Sequence, residues 1–232
     1  VELVIDPHHR DTASSVGTEL LGAALDEVAN EGGGHVHLWV PKPRAEHDLI
    51  AAANGLVRGR ELLQMRRELP LSLPASLPAS EDLAVRGFRV GEDEQAWLEV
   101  NNRAFAQHPE QGGWTIQTLL RREHEAWFDP AGLLLHEVDG RLAGFCWTKV
   151  HADLTPPLGE IYVLAVDPEH QGSGLGRRLV VAGLGWLADA GLVTAMLYVD
   201  SVNVAALSLY RDLGFGVDHT DRAYVGDVAA AH

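Results

Sequence analysis

The sequence has a single cysteine, Cys146, so an internal disulfide is excluded, and the lone thiol fits a reducing cytoplasm. No stretch approaches the ~18 apolar residues of a membrane span, and there is no signal-peptide pattern. A soluble cytoplasmic protein with no membrane partner is expected. Basic residues are scarce: 18 Lys and Arg stand against 33 Asp and Glu, a net charge of −15. Such a surface repels phosphate backbones, so nucleic acid is not an expected partner. The 12 histidines show no H-x-x-x-H spacing; His35 and His37 alternate along a strand and His8 and His9 are adjacent, so no metal is expected. There is no initiator methionine. Val1 opens inside a strand-like run, and a missing N-terminal part is expected. What remains is ample for a core: 232 residues, 46% hydrophobic and 22% charged, fit one to two folded domains rather than a disordered chain.

Prolines mark the clearest boundary. Glu68–Ser80 carries Pro70, Pro74 and Pro78, a density that neither a helix nor a sheet interior tolerates. Residues 70–80 read as a semi-rigid linker between segment 1–69 and segment 81–232. In the second segment Leu83–Val90 reads as a strand. Trp97, Val100, Ala104 and Phe105 recur at helical spacing behind Glu92-Asp93-Glu94. Thr115 is a candidate cap for a helix with Ile116, Leu119 and Leu120 on one face. Leu133–Val138 and Arg141–Val150 flank Asp139-Gly140, a hairpin with a type I′ turn. Leu158–Val166 is an apolar strand, and a helix from about Gly174 to Ala190 ends at Gly191. Met196–Val199, a helix Asn203–Leu213 stopped by Gly214, and strands Phe215–Val217 and Arg222–Val225 close the chain. The order β-α-α-β-β-β-α-β-α-β-β predicts an α+β fold, a mixed sheet flanked by helices.

The first segment repeats the grammar of the last third. Leu3–Pro7 resembles Leu164–Pro168, Val16-Gly17 resembles Leu175-Gly176, Leu38–Val40 matches Leu197–Val199, and Asn54–Leu56 matches Leu213–Phe215. It therefore reads as the back half of a second copy.

The sharpest chemical signal is E-I-Y-V-L-A-V-D-P-E-H-Q-G-S-G-L-G, Glu160–Gly176. A buried strand runs through Asp167-Pro168 into Gln171-x-x-Gly174-x-Gly176 and a helix. Bare backbone N–H groups at the positive end of a helix dipole suit a pyrophosphate. A plain strand–turn–helix with small residues for close packing accounts for the glycines alone equally well. Together with Ser201-Val202-Asn203, the helix bearing Tyr210, and the repeated grammar, the set resembles the Gcn5-related N-acetyltransferase (GNAT) superfamily. That resemblance implies two splayed parallel strands, pantetheine bonded in the gap like an extra strand, and acetyl-CoA as co-substrate. Longer motifs cover nearly the whole chain: Arg60–Arg67, His108–Trp114, Ala126–Pro130, Gly144–His151, Gly159–Pro168 and Asn203–Tyr210. They resemble the mycothiol synthase family, tandem GNAT enzymes that acetylate the cysteinyl amine of Cys-GlcN-Ins.

The resemblance implies roles. Glu160 is the expected general base, helped by desolvation or a water relay, against a bland strand-end carboxylate. Tyr210 is the expected acid for the departing thiolate, against a tyrosine packed on the sheet. Glu110, Lys149 and Tyr198, with Glu160, match substrate-contacting positions. The cofactor-binding set is Leu164, Ala165, Val166, Gln171, Gly172, Ser173, Gly174, Leu175, Gly176, Arg177, Asn203, Val204, Ala205, Ala206, Leu207 and Ser208. Within it the Leu164 N–H is the expected oxyanion donor. Trp114, Trp127 and Trp147 are candidates for a sugar pocket, with two of the three expected in the core. Cys146 reads as a small buried apolar residue.

The first segment departs from the pattern. Arg10–Gly17 carries two inserted residues and lacks the first glycine of the loop, and Ala51 falls where Tyr210 would. This half is expected to be catalytically silent. One extra residue around Pro156-Pro157 borders the acceptor site. With no Ser/Cys–His pair evident, direct transfer in a ternary complex is expected rather than an acyl-enzyme. A different small amine, amino acid or peptide N-terminus as acceptor, or a CoA-binding sensor without turnover, remain the alternatives. A monomer acting on a small-molecule amine is favoured.

Overall fold

The Asp139-Gly140 turn organises the sheet. Both residues have positive φ, 51° and 75°, the geometry of a type I′ turn whose twist matches that of its strands. In the computed structural model, which describes residues 1–5, 8, 13–71, 83–107 and 111–231, this turn joins β4 (Leu133–Val138) to β5 (Arg141–His151). The chain divides into two compact units, each built from separate stretches: Val1–Met65, Val199–Ser208 and Val217–His232 in one, Arg66–Tyr198 and Leu209–Gly216 in the other.

In the second unit the strand order is β7-β6-β5-β4-β3, with β3 at Arg86–Gly87, β6 at Leu158–Val166 and β7 at Thr194–Asp200. All neighbours are antiparallel except β6 and β7. Helices α3 (Glu94–Ala104) and α4 (Ile116–Glu123) accompany one face and α5 (Leu175–Asp189) the other. The Thr115 hydroxyl accepts a hydrogen bond from Thr118 N–H at 3.2 Å and caps α4 as expected. Trp97 of α3 packs with Phe145, Trp147, Leu133, Leu135 and Val163, all buried. Each such ring removes roughly 150–250 Å² from water, which makes this aromatic face the main apolar contribution to the unit. On the opposite face Leu179, Leu184 and Leu187 of α5 are fully buried. Gly183 lets α5 approach so closely that a Cβ there would lie 2.6 Å from Cys146 Sγ and 2.9 Å from Ile161 Cδ1. The helix ends in a Schellman turn, with Leu192 N–H on Leu187 O and Gly191 N–H on Ala188 O.

The first unit has α1 (Ala13–Asn30), β1 (Gly34–Pro41), α2 (Ala45–Ala53), β2 (Val57–Glu68) and β8 (Gly216–Val228), with strand order β1-β8-β2. Leu21, Leu38, Ile50, Ala51, Leu56 and Tyr224 form its core. The repeat is visible in its hydrogen bonds. Leu56 N–H on Ala51 O and Gly55 N–H on Ala52 O reproduce the turn made by Phe215 on Tyr210 and Gly214 on Arg211 after α6 (Val204–Asp212).

The structure corrects three expectations. Residues 1–5 form no strand. The expected strand Leu83–Val90 shrinks to Arg86–Gly87, because only these two pair with β4. The two closing strands are one, since the polar stretch between them pairs with β1: Asp221 lies opposite Pro41, and Lys42 N–H donates to Thr220 O at 3.0 Å. Most of the proline-rich linker, residues 72–80, lies outside the described residues, as do Glu110 and residues 9–12. Among the described residues no helix is long and apolar enough to cross a membrane.

Candidate active site

The site forms where β6 loses its partner. Parallel pairing of β6 with β7 comprises Gly159 with Ala195 and Glu160 with Met196, and goes no further. On the other edge β6 keeps its register with β5 up to Val166, apart from a bulge where Trp147 and Thr148 face Val163 and Ile161. The extra residue is Tyr162. A bulge bends its strand and sharpens the twist, so β6 swings away from β7 immediately after Glu160. Leu164, Ala165 and Val166 lie in this stretch, with a backbone edge that β7 does not pair. Such an edge is open to an extended, amide-bearing ligand.

Glu160 sits at the apex of the gap, 6% exposed. Its strand partner on β5 is Lys149, and two residues further on the same face His151 Nε2 lies 2.7 Å from Glu160 Oε2. The Lys149 ammonium rests over the Trp127 ring, 4.6 Å from its centroid, and 5.7 Å from that of Tyr162. Trp127 and Tyr162 meet edge-on at 5.1 Å. The Tyr162 phenol is pushed above its usual range by burial, with Arg122 opposing and the Glu160 charge adding to it. Trp147 is fully buried, whereas Trp114 and Trp127 are half-buried against the core. One of the three tryptophans is therefore fully interior, not two; Trp127 keeps a face beside Lys149.

Beyond Val166 the chain enters the turn that the sequence singled out. The buried Asp167 carboxylate accepts from Glu169 N–H at 3.0 Å and from Arg103 Nε at 3.0 Å and Nη2. Burial alone raises its pKa, but the Arg103 and Glu169 hydrogen bonds outweigh this and hold it below the ordinary carboxylate value. The loop then opens α5. Gly172 and Gly174 adopt φ of 75° and 79°, a left-handed conformation costly for other residues, and Gly174 caps the helix without any side-chain hydrogen bond. Gly176 has ordinary φ, and a Cβ there would touch Val166 Cγ2 at 3.6 Å, an unstrained distance. Gly176 is therefore not demanded by packing. Ser173 donates to His170 O at 2.6 Å and Gln171 to Val166 O at 3.3 Å, closing the loop on itself. Arg177 Nη2 and Arg178 Nε are buried with no hydrogen-bond partner among the described residues. An uncapped helix start beside two unmatched guanidinium nitrogens fits an anionic group such as a diphosphate.

Tyr210, on α6, is 7% exposed and contacts the Phe215 ring at 5.8 Å. Burial raises its phenol well above the usual value, and the Cys146 thiol adds to this electrostatically. Cys146 pairs across the strands with Leu164, so the phenol lies on the side of the sheet that Leu164 shares. Cys146 is fully buried, and its thiol is pushed up to about 12. The base candidate and the acid candidate thus occupy opposite faces of the sheet at the gap. Glu160 sides with Lys149, His151 and Tyr162, and Tyr210 with Cys146. Tyr198 of β7 is 41% exposed. Asn203 caps α6 through its side-chain oxygen, 3.1 Å from Ala206 N–H; Asn203 and Val204–Ser208 group with the first unit.

The sequence missed His151. Its signal is the alternation Lys149-Val150-His151, which puts the lysine and histidine on one face of β5. Only the observed register places that face against Glu160.

A cavity of about 460 Å³ lies in the first unit. Leu3, Ile5, Leu38, Trp39 and Val40, whose sequence repeats that around Leu164–Val166 and Leu197–Val199, line it together with Ile50 of α2. Its size does not make it the reactive site, since the position matching Tyr210 is the buried Ala51.

Comparison with known proteins places this geometry. Residues 95–215 match the acetyltransferase (GNAT) family. The chain is 50% identical over 234 residues to a mycothiol acetyltransferase of Acidimicrobium ferrooxidans, covering all of this chain and 75% of that protein. It is 50% identical to a mycothiol acetyltransferase of Thermobispora bispora over 92% of this chain and 71% of that one. Among solved structures, a GCN5-related N-acetyltransferase from Sphaerobacter thermophilus superposes with TM-score 0.78 at 21% identity, over 98% of this chain and 72% of its own. A tandem GNAT protein from the clavulanic acid biosynthesis pathway gives 0.71 at 18% identity, over 99% and 74%. At such identities these two report the fold.

Proposed function

We propose, from the premise that this chain belongs to the GNAT acetyltransferase family and is an N-acetyltransferase akin to the mycothiol acetyltransferases, that it acetylates the cysteinyl amine of Cys-GlcN-Ins (desacetylmycothiol) with acetyl-CoA. The observation that carries this is the end of β6–β7 pairing at Glu160, directly upstream of the Gln171–Gly176 loop.

Acetyl-CoA supplies an activated thioester. The backbone of Leu164–Val166 would hold its pantetheine arm, and the loop Gln171–Arg177 its diphosphate. The Leu164 N–H polarises the carbonyl oxygen as it takes up charge. Glu160 removes the proton from the acceptor amine; its burial excludes the water that would otherwise solvate the carboxylate. Tyr210 gives a proton to the departing sulfur. A raised phenol is a weak donor to a thiolate of ordinary basicity. Glu110, Lys149 and Tyr198 are the acceptor contacts, and the Trp127 face beside Lys149 suits the apolar side of a sugar ring. The catalytic apparatus belongs to residues 81–232, and residues 1–69 form a silent half.

The test is a panel of amines, including Cys-GlcN-Ins, free amino acids and a peptide N-terminus. Each is incubated with acetyl-CoA and the intact protein, following thiol release and product mass. The proposal expects the highest kcat/KM for Cys-GlcN-Ins; an equal or higher value for a peptide or amino acid reassigns the acceptor.

A further inference from the structure

At neutral pH the acceptor enters as an ammonium ion, and the products are a neutral amide and a neutral thiol. The balance is RNH3⁺ plus thioester giving amide, thiol and one proton: of the two protons the nitrogen loses, one makes good the proton Tyr210 gives the sulfur, and the other must reach water. The base that collects it is walled in. The Glu160 side chain is 8% exposed, and its neighbours on the sheet are mostly unsuited to carry the proton onward. Lys149, its strand partner, is a cation with only donors, and its ammonium is turned onto Trp127. Tyr162 is a phenol whose burial favours keeping its own proton. The remaining contact is His151, whose Nε2 lies 2.7 Å from Glu160 Oε2 and whose side chain is 21% exposed. Exposure thus rises along the pair, from carboxylate to imidazole. Imidazole is also the side chain that both accepts and releases a proton near neutrality.

We infer that His151 is the outlet for the proton that Glu160 takes from the acceptor amine. When Glu160 is ionised, the 2.7 Å contact runs from His151 Nε2–H to the carboxylate. When Glu160 has taken the amine proton, the ring changes tautomer through water, Nδ1 gaining a proton as Nε2 gives one up, and the contact then runs from the carboxyl O–H to the unprotonated Nε2. The ring accepts at that nitrogen, releases a proton to water from the other, and returns the carboxylate to its ionised form. No oxidant or further reactant is needed. In this role His151 acts through Glu160, so it is a positioning residue with a second duty as relay. The inference rests on Glu160 being the base.

The test uses the full chain with acetyl-CoA and the best acceptor of the amine panel. His151→Ala lowers kcat by roughly tenfold or more, within the span ascribed to acid–base groups, and leaves KM for acetyl-CoA unchanged. Imidazole added to the buffer restores turnover in proportion to its concentration. His151→Gln keeps an N–H within reach of the carboxylate but cannot relay, so it falls like the alanine variant with KM for acetyl-CoA unchanged. Full turnover by His151→Gln, or no rescue of His151→Ala by imidazole, overturns the relay. Should the alanine variant not fold, the glutamine variant decides by the same split of kcat from KM. Glu160→Gln separates the two layers. If it works like the wild type, the base assignment itself fails. If it is inactive while His151→Gln is fully active, only the relay fails.

Discussion

Gly176 offers a substitution in which stability and ligand binding separate. It is the second residue of α5, has ordinary φ, and a Cβ on it would lie 3.6 Å from Val166 Cγ2, in normal contact. Alanine therefore fits. Alanine is favoured over glycine in a helix by up to about 1 kcal/mol, less at a first turn, so Gly176→Ala leaves Tm unchanged or slightly raised. Gly176 N–H is itself one of the uncapped N–H groups that would meet the diphosphate, and the methyl is added beside it. Losing one hydrogen bond to a charged group there costs about 1.5–3 kcal/mol, roughly a tenfold to hundredfold rise in KM for acetyl-CoA. Gly183→Ala is the control, since its Cβ would meet Cys146 Sγ at 2.6 Å and Ile161 Cδ1 at 2.9 Å. Overpacking there costs about 1–3 kcal/mol, so it lowers Tm. Thermal unfolding and initial-rate kinetics on both variants read the two effects. If Gly176→Ala loses stability while its KM stays at the wild-type value, the loop is a packing device and the diphosphate assignment is wrong.

Three further outcomes follow from the same structure. Tyr210→Phe keeps the packing against Phe215 but removes the proton donor, so kcat falls about a hundredfold with KM for acetyl-CoA unchanged; turnover near the wild-type rate would make Tyr210 a packing residue only. Cys146, with its thiol pushed up to about 12 by burial, resists alkylation in the native protein at pH 8 and reacts after unfolding; rapid native labelling would contradict its enclosure. The Asp167 carboxyl titrates below its unfolded value of about 3.9. Its stabilising contribution is therefore present above that pH and lost as pH falls through the lower folded value. In urea melts Asp167→Asn narrows the gap to wild type as pH drops below about 4; an unchanged gap would remove the Arg103–Asp167 pair from the account.

Much of the fold was legible because its punctuation is local. Asp139-Gly140 dictates a turn type, Gly191 and Gly214 end helices through hydrogen bonds to their own last turns, and the Gly172–Gly174 loop needs left-handed backbone whatever surrounds it. What failed was set by pairing. The 218–221 stretch looks too polar for a strand, yet Asp221 pairs with Pro41 of β1 and His219 meets Asp218 and Asp221. Leu83–Val90 is apolar enough for a strand, but only two residues find a partner. At the candidate site, Glu160, Tyr210 and the glycine loop were singled out by motif spacing together with the family resemblance. His151 was not, because a bulge at Tyr162 decides which β5 residues face Glu160, and no local pattern announces that offset.

The most direct test is a crystal structure with CoA bound. The account requires the pantetheine arm along the unpaired edge of Leu164–Val166, the diphosphate on the N–H groups that open α5, and the sulfur within hydrogen-bond reach of the Tyr210 hydroxyl. A ligand seated elsewhere, with β6 and β7 zipped together past Glu160, would contradict it.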